Sequence, residues 1–219
     1  MSARCSRTDI LPAIGALVSG LLVLGIAGCS TPENLPPLVL RDLSGEAHQP
    51  LTHAGERATV LFFVMHDCPL ARTCAPEINR LVAEYASRGV RSYLVYAEPE
   101  LAPAAAQKHA DDFGHKCPGL LDPWQELARF TGVKVSPEVA VLSPANELLY
   151  RGRIDDRLSA FGKLRAEPSR RDLRDALDAI LAGKPAPNRL TKAVGCYLPT
   201  ADRRKSGRPP SGNLPGRFE

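Results

Sequence analysis

Six cysteines carry most of the reactive chemistry in this 219-residue chain. One of them, Cys68, is followed by Pro69 where an apolar run gives way to helical spacing. Proline suits the first position of a helix, because its missing N–H would be unpaired there in any case. A thiol at that place faces unpaired backbone N–H groups and the positive end of the helix dipole. Both favour thiolate, which is the nucleophile and the metal ligand. Asp67 opposes that ionisation by like-charge repulsion, and a protonated His66 would favour it. Cys68 is therefore the candidate nucleophile, provided that its sulfur is accessible. The nearest second thiol is Cys74, in a C-x-x-x-x-x-C run. Six helical residues rise about 9 Å, beyond the roughly 7 Å limit on Cα separation in a disulfide. Cys74 also lies on the apolar stripe of the helix and reads as a core residue. Cys117 precedes Pro118 at a strand entrance and reads as structural, with a weaker claim to act with Cys68.

Other cysteine chemistry is excluded by spacing. There is no C-x-x-C-H for covalent haem and no pair of C-x-x-C motifs for a zinc ribbon. One metal reading stays open. His66, Cys68 and Cys74, beside Met65, offer the imidazole and sulfur that suit Cu(I). His109 or His115 would then supply a remote ligand, although a histidine on a polar helix is usually just solvated. No organic cofactor is implied.

Composition narrows the partners. The chain is 44% hydrophobic and 24% charged, which is ordinary for a globular protein and excludes both wholesale disorder and a multi-span membrane protein. Aromatics are only 5%, too few for single-stranded nucleic-acid stacking platforms. The net charge of +4 is local: +1 falls in residues 1–28 and +3 in residues 202–219, leaving 29–201 neutral. A neutral body argues against nucleic acid as a partner. Oligomeric state is not legible.

The N-terminus reads as an address. Arg4 and Arg7 precede an apolar run over residues 10–27 that closes on Ile26-Ala27-Gly28-Cys29. That ending resembles the bacterial lipobox, in which cleavage leaves a lipid-bearing cysteine. The resemblance implies a signal peptide over 1–28, acylation of Cys29, a proline-rich tether over 29–36 and a protein held on the periplasmic side of the cell envelope. The mature thiols would then be Cys68, Cys74, Cys117 and Cys196, in an oxidising compartment where four thiols seldom stay idle.

The elements that must position Cys68 follow from periodicity. Residues 38–45 read as a strand running into a turn. Residues 58–65 (ATVLFFVM) form a continuous apolar run expected of a strand buried on both faces. Helical spacing follows through Cys74, Ile78, Leu81, Val82 and Tyr85, with Gly89 at the C-terminal stop. Strands are expected at 90–96 and 119–121, helices at 104–113 and 124–130, a hairpin of 139–142 with 148–151, and a helix at 170–182. Early crossovers through helices with a late antiparallel pair predict an α/β sandwich around a mixed sheet. The run 151–156 (RGRIDD) reads as a strand end with surface ion pairs of little weight, or as a docking edge.

At this point the residues resemble a family. Cys68-Pro69 after a hydrophobic strand, Pro76 inside the helix, and Val135-Ser136-Pro137 before a strand are similar to thioredoxins. The stretches HDCPLARTCAPEINRL, LVYAE, LLDP, VSPEVAVL, LLYRGRIDDR and AVGCYLP resemble bacterial redoxin-domain proteins of the alkyl hydroperoxide reductase/thiol-specific antioxidant group. The resemblance spans about residues 36–198. It implies a thioredoxin-like domain over 37–183 with helices on both faces of the sheet, a cis Pro137 beside the nucleophile, and a thiol or disulfide substrate, protein or small molecule. The chain departs from the family at four places. Ala71 stands where thioredoxins carry their second thiol, and Phe62 where they carry a buried carboxylate. Met65 and Leu61 stand where peroxiredoxins carry Thr or Ser and Pro, which argues against peroxide chemistry.

A resolving thiol must then come from elsewhere. Cys196 lies in a Pro-, Gly- and Arg/Lys-rich tail over 184–219, whose final stretch is expected to be disordered. The fourteen residues from Ala182 to Cys196 reach about 45 Å when extended, enough to cross a small domain. The leading expectation is a membrane-tethered thiol oxidoreductase with Cys68 as nucleophile and Cys196 as resolving thiol. The alternatives are a copper-handling protein and a non-catalytic redoxin-fold binding module.

Overall fold

The computed structural model describes residues 37–200. A short hairpin of β1 (Leu40–Asp42) and β2 (Ala47–His48) opens the domain. There follow β3 (Ala58–Val64), α1 (Pro69–Ala86), β4 (Val90–Tyr96), α2 (Pro103–Asp112), β5 (Gly119–Leu121), α3 (Glu126–Thr131), β6 (Val135–Ser136), β7 (Glu138–Leu142) and β8 (Leu148–Gly152). A small hairpin of β9 (Leu158–Ala160) and β10 (Lys163–Leu164), then α4 (Asp172–Leu181) and β11 (Cys196–Tyr197), complete it. The main sheet has seven strands in the order β2-β1-β5-β4-β3-β7-β8. β3, β4 and β5 are parallel, while β7 and β8 run antiparallel beside β3. The mixed α/β sheet read from the sequence is therefore the observed one.

Alternation along the central strands divides the core into two layers. Val60, Phe62 and Val64 of β3, with Leu94 and Tyr96 of β4, point to the face covered by α1 and α4. Leu61 and Phe63, with Tyr93 and Val95, point to the other face, against Leu127, Ala128 and Phe130 around α3. A strand buried on both faces leaves little room for polar side chains, which is why residues 58–64 read as an apolar run; Thr59, its one polar residue, is fully buried with its hydroxyl 3.3 Å from His53 Nδ1.

Helix α1 buries Leu70, Ala71, Ala75, Ile78, Leu81, Val82 and Tyr85 along one side. Pro76 lies on its exposed side and the helix stays continuous over 18 residues. Proline there removes the N–H that would bond the carbonyl four residues earlier, a loss that solvent makes good on this side. The helix C-terminus closes through Gly89 at φ +81, a conformation that costs a residue with a Cβ.

The run 151–156 differs from a surface strip. Arg153 Nε bonds the buried Asp172 carboxylate at 2.7 Å, and buried Asp156 accepts from the Ser169 and Arg170 amides. These groups close the turn that leads into α4, so they are satisfied inside the fold rather than solvated.

Phe62→Ala (2% exposed) should cost about 3–5 kcal/mol by cavity formation, whereas Phe161→Ala at the tip of the β9–β10 turn (71% exposed) should stay within about 0.5 kcal/mol. Urea unfolding of the two variants checks both.

Candidate functional site

The site forms where β3 ends at the middle of the sheet and hands over to α1. Cys68 is the N-cap residue of α1, with extended backbone (φ −73, ψ 112) and Pro69 in the first turn. Its carbonyl accepts the Arg72 N–H at 3.3 Å, which starts the helix. The thiol makes no capping hydrogen bond. It turns instead across the sheet end, 3.2 Å from the Ser136 carbonyl oxygen and 2.9 Å from Cys196 Sγ. The Ser136–Pro137 peptide bond is cis. Ser136 is fully buried, and its Oγ accepts the Met65 N–H at 2.8 Å, tying the loop before Cys68 to the strand before β7.

The thiol is not presented to solvent, contrary to what the reading of Cys68 as a nucleophile required of its sulfur. Cys68 is 1% exposed. Its cover is the chain's own segment 184–200, which runs back over the sheet as a strap. The first anchor of that strap is the end of β8. There Arg151 N–H donates to Arg189 O at 2.9 Å, Thr191 N–H donates to Arg151 O at 3.0 Å, and the Thr191 hydroxyl meets Tyr150 OH at 2.7 Å. The second anchor is β11, paired antiparallel with β6 so that Cys196 faces Ser136 and Tyr197 faces Val135. Leu198 N–H donates to Lys134 O at 3.0 Å, and Gln125 Nε2 donates to Pro199 O. Gly195 permits the approach: a Cβ there would lie 2.2 Å from Ser136 O. The tail is thus part of the folded domain through residue 200, while residues 201–219 lie outside the described residues.

The other thiols sit apart from this pair. Burial, with Asp155 nearby, pushes the Cys74 thiol up to about 12. Cys74 lines a cleft of about 470 Å3 with Asp155, Arg157 and Leu158. Burial pushes Cys117 up to about 11. Both stay protonated, and all four thiols of the described chain are free, with Cys74 close enough for Cys68 to contribute to its shift. Cys196 is half-buried, and its thiol is pushed up to about 11, first by burial, then by the adjoining Cys68 thiol and the charge of Asp67.

Glu98, just past the end of β4, is a site residue that the sequence reading did not single out. One carboxylate oxygen accepts the His66 N–H at 3.0 Å and the other lies 2.7 Å from His66 Nδ1. It holds the loop that carries Cys68. Its signal in the sequence was a carboxylate at the C-terminal end of a parallel strand, where α/β sheets place their sites. His66, Glu98, Leu101, Trp124 and Pro199 line a groove of about 740 Å3 beside the strap.

The copper set is not assembled. Among the described residues, two groups bring three ligand atoms within 4.8 Å of one another: Asp42 with Glu46 and His48, and His66 with Asp67 and Glu98. Neither includes a cysteine, and oxygen-rich sets do not suit Cu(I). Six helical residues separate Cys74 from Cys68, which keeps its sulfur from joining His66. Nor are the remote histidines solvated. His109 is 5% exposed, with Nδ1 2.8 Å from Tyr96 OH, and burial draws it down to about 4. His115 is lowered by burial too, and bonds Asn79 through Nδ1 at 2.9 Å. Helix α2 lies against β4 and β5, so its histidine packs on Tyr96 instead of facing water.

Comparison with known proteins bears on the family and the fold. The family model of Redoxin matches residues 32–164. An uncharacterized conserved protein from Geobacillus kaustophilus is 26% identical, with TM-score 0.65 over 76% of this chain and 90% of that one. A hypothetical protein from Sinorhizobium meliloti 1021 is 21% identical, with TM-score 0.61 over 74% and 90%. The solution structure of a Neisseria meningitidis protein, provisionally assigned as a thioredoxin, is 19% identical, with TM-score 0.52 over 68% and 89%. The last two are likenesses of fold. No curated protein matches the chain. The Redoxin match ends at residue 164, before the strap begins.

A thiol held up to about 11 carries little thiolate at neutral pH. In the reduced chain Cys196 should alkylate roughly a hundredfold more slowly than free cysteine at pH 7.5, and faster as pH climbs toward 11. Residue-resolved mass spectrometry across that range measures it.

Proposed function

The chain belongs to the Redoxin family, and on that premise we propose that it is an exported, membrane-tethered thiol-disulfide oxidoreductase with Cys68 as nucleophile and Cys196 as resolving thiol. The observation that carries this reading is the 2.9 Å approach of the two sulfurs at the N-terminus of α1. A disulfide bond is about 2.05 Å long, so less than 1 Å of further approach separates the contact from a bond.

The chemistry is thiol–disulfide exchange. Cys68 thiolate attacks one sulfur of a substrate disulfide, whose S–S bond breaks to release the first substrate thiol. Cys196 then loses its proton and attacks Cys68 Sγ. The mixed disulfide breaks, the second substrate thiol leaves, and the Cys68–Cys196 disulfide forms. The substrate gains two electrons and the protein loses them; a thiol donor in the same compartment restores the dithiol. The high pKa of Cys196 suits this order. Two of its causes are contacts with the Cys68 thiol, and both end when Cys68 enters a mixed disulfide. The resolving sulfur is thus easier to ionise at the step that needs it.

A disulfide is favoured over a peroxide as substrate because Met65 and Leu61 occupy the positions where peroxide-reducing relatives carry a hydroxyl and a proline. The body carries no surplus charge, which fits a thiol partner better than a polyanion. Export and anchoring rest on the apolar run over 10–27 and the lipobox-like Ile26-Ala27-Gly28-Cys29, with acyl chains on Cys29 holding the protein at a membrane surface. Cys29 and the leader lie outside the described residues.

After oxidation with glutathione disulfide, non-reducing peptide mapping should find Cys68 linked to Cys196, with Cys74 and Cys117 free. Cys68→Ser should lower disulfide exchange at least a hundredfold, and Cys196→Ser should stall as a mixed disulfide on Cys68. A disulfide linking Cys68 to Cys74 or Cys117 would overturn the assignment. Cys29→Ser should abolish incorporation of labelled palmitate in cells.

A further inference from the structure

If Cys68 is the nucleophile, its burial creates a problem that the strap itself answers. With the strap in place, no substrate reaches a sulfur that is 1% exposed. Cys196, half-buried and carried on a segment whose neighbour Tyr197 is 81% exposed, is the sulfur nearer solvent. The strap is held unevenly. Its Arg189–Thr191 end bonds main chain of β8 on both sides of Arg151, and the Thr191 hydroxyl adds Tyr150 OH and the Arg153 N–H. Its 196–199 end has the two-residue pairing with β6, one bond from Leu198 N–H and one to Pro199 O. Between the anchors lie Lys192, Ala193 and Val194, exposed or half-buried.

We propose that residues 192–200 form a hinged cover, latched shut by the bond between Cys68 and Cys196, so that two partners engage two different sulfurs. The inference rests on the reading of Cys68 and Cys196 as the redox pair. In the closed disulfide state, a thiol donor attacks Cys196 Sγ: its sulfur bonds Cys196, the Cys68–Cys196 bond breaks, and Cys68 leaves as thiolate at the helix N-terminus. A second donor thiol then attacks the donor sulfur of that mixed disulfide, forms the donor's own disulfide, and releases Cys196, which takes up a proton. With the covalent latch gone the cover still rests closed, as the free thiols here show, but only its few bonds to β6 and Lys134 hold it, so the 192–200 end can lift transiently about its Thr191 anchor and let Cys68 meet the disulfide substrate. Electrons enter at Cys196 and leave at Cys68.

Two measurements test it. Gly195→Val sets a side chain against Ser136 O, where even a Cβ would stand 2.2 Å away, and so props the cover open without altering either thiol. In the reduced chain, Cys68 should alkylate at least tenfold faster in this variant than in the native protein, by residue-resolved mass spectrometry. Leu198→Pro removes the N–H bonded to Lys134 O and should act in the same direction if Gly195→Val does not fold. Equal Cys68 rates in native and variant chains would overturn the cover. Separately, the oxidised native chain is exposed briefly to glutathione, quenched in acid and mapped. The glutathione adduct should be found on Cys196 in at least tenfold excess over Cys68, and a majority on Cys68 would overturn the assigned point of entry. Failure of the Cys68–Cys196 disulfide to form is a third, distinct result. It would sink the redox pairing, while the alkylation comparison would still report whether the strap covers Cys68.

Discussion

Ser136 is the residue on which the site depends. It is fully buried, so each of its polar groups needs a partner. Its hydroxyl takes the Met65 N–H, its carbonyl faces the Cys68 thiol, and the same carbonyl leaves no room for a side chain at position 195. Three segments separated by about sixty to seventy residues each are joined at one peptide unit. Leaving any of its buried donors or acceptors unmatched would cost on the order of 1–3 kcal/mol. The loop before α1, the strand entering β7 and the strap are therefore set relative to one another by these hydrogen bonds, with Met65, Val194 and Cys196 also packed on the apolar core.

The rest of the domain is a rigid support for that junction. β3 is buried along its whole length between two apolar layers, so the residue at its end has a fixed position. α1 is held by a long apolar face, and Glu98 pins the connecting loop from the next strand. The strap is different in kind. At its 196–199 end it contributes a handful of hydrogen bonds, each worth about 0.5–1.5 kcal/mol net, and only partly buried packing from Cys196 and Leu198 beside the exposed Tyr197 and Pro199. Segments with few buried contacts are those that open locally. A strong frame with a weakly held cover is an arrangement in which access can change without unfolding.

The four thiols of the described chain are sorted by surroundings, not by residue type. Cys74 and Cys117 are raised chiefly by burial, and behave as small apolar side chains. Cys196 is raised as well, but partly by Cys68 itself, so its state is coupled to its neighbour's bonding. Geometry, not acidity alone, separates the Cys68–Cys196 pair from the other two thiols.

Much of this was legible in the chain. The unbroken apolar run of β3, the stripe of α1 and the spacing of β4, β5, β7 and β8 determined the mixed sheet, because burial on two faces or one leaves a period in the sequence. The Cys68-Pro69 pair marked the helix start for the same local reason. The two-residue strands β6 and β11 were not legible, since so short a pairing has no period and exists only when its partner arrives. Glu98 gave a positional hint and no more. That Cys68 is covered, that His109 is buried against Tyr96 and that the 151–156 run is bonded inward were decided by tertiary structure alone. Each depends on which other segment lies across a site, and contacts spanning from 13 to 128 residues leave no mark on local residue order.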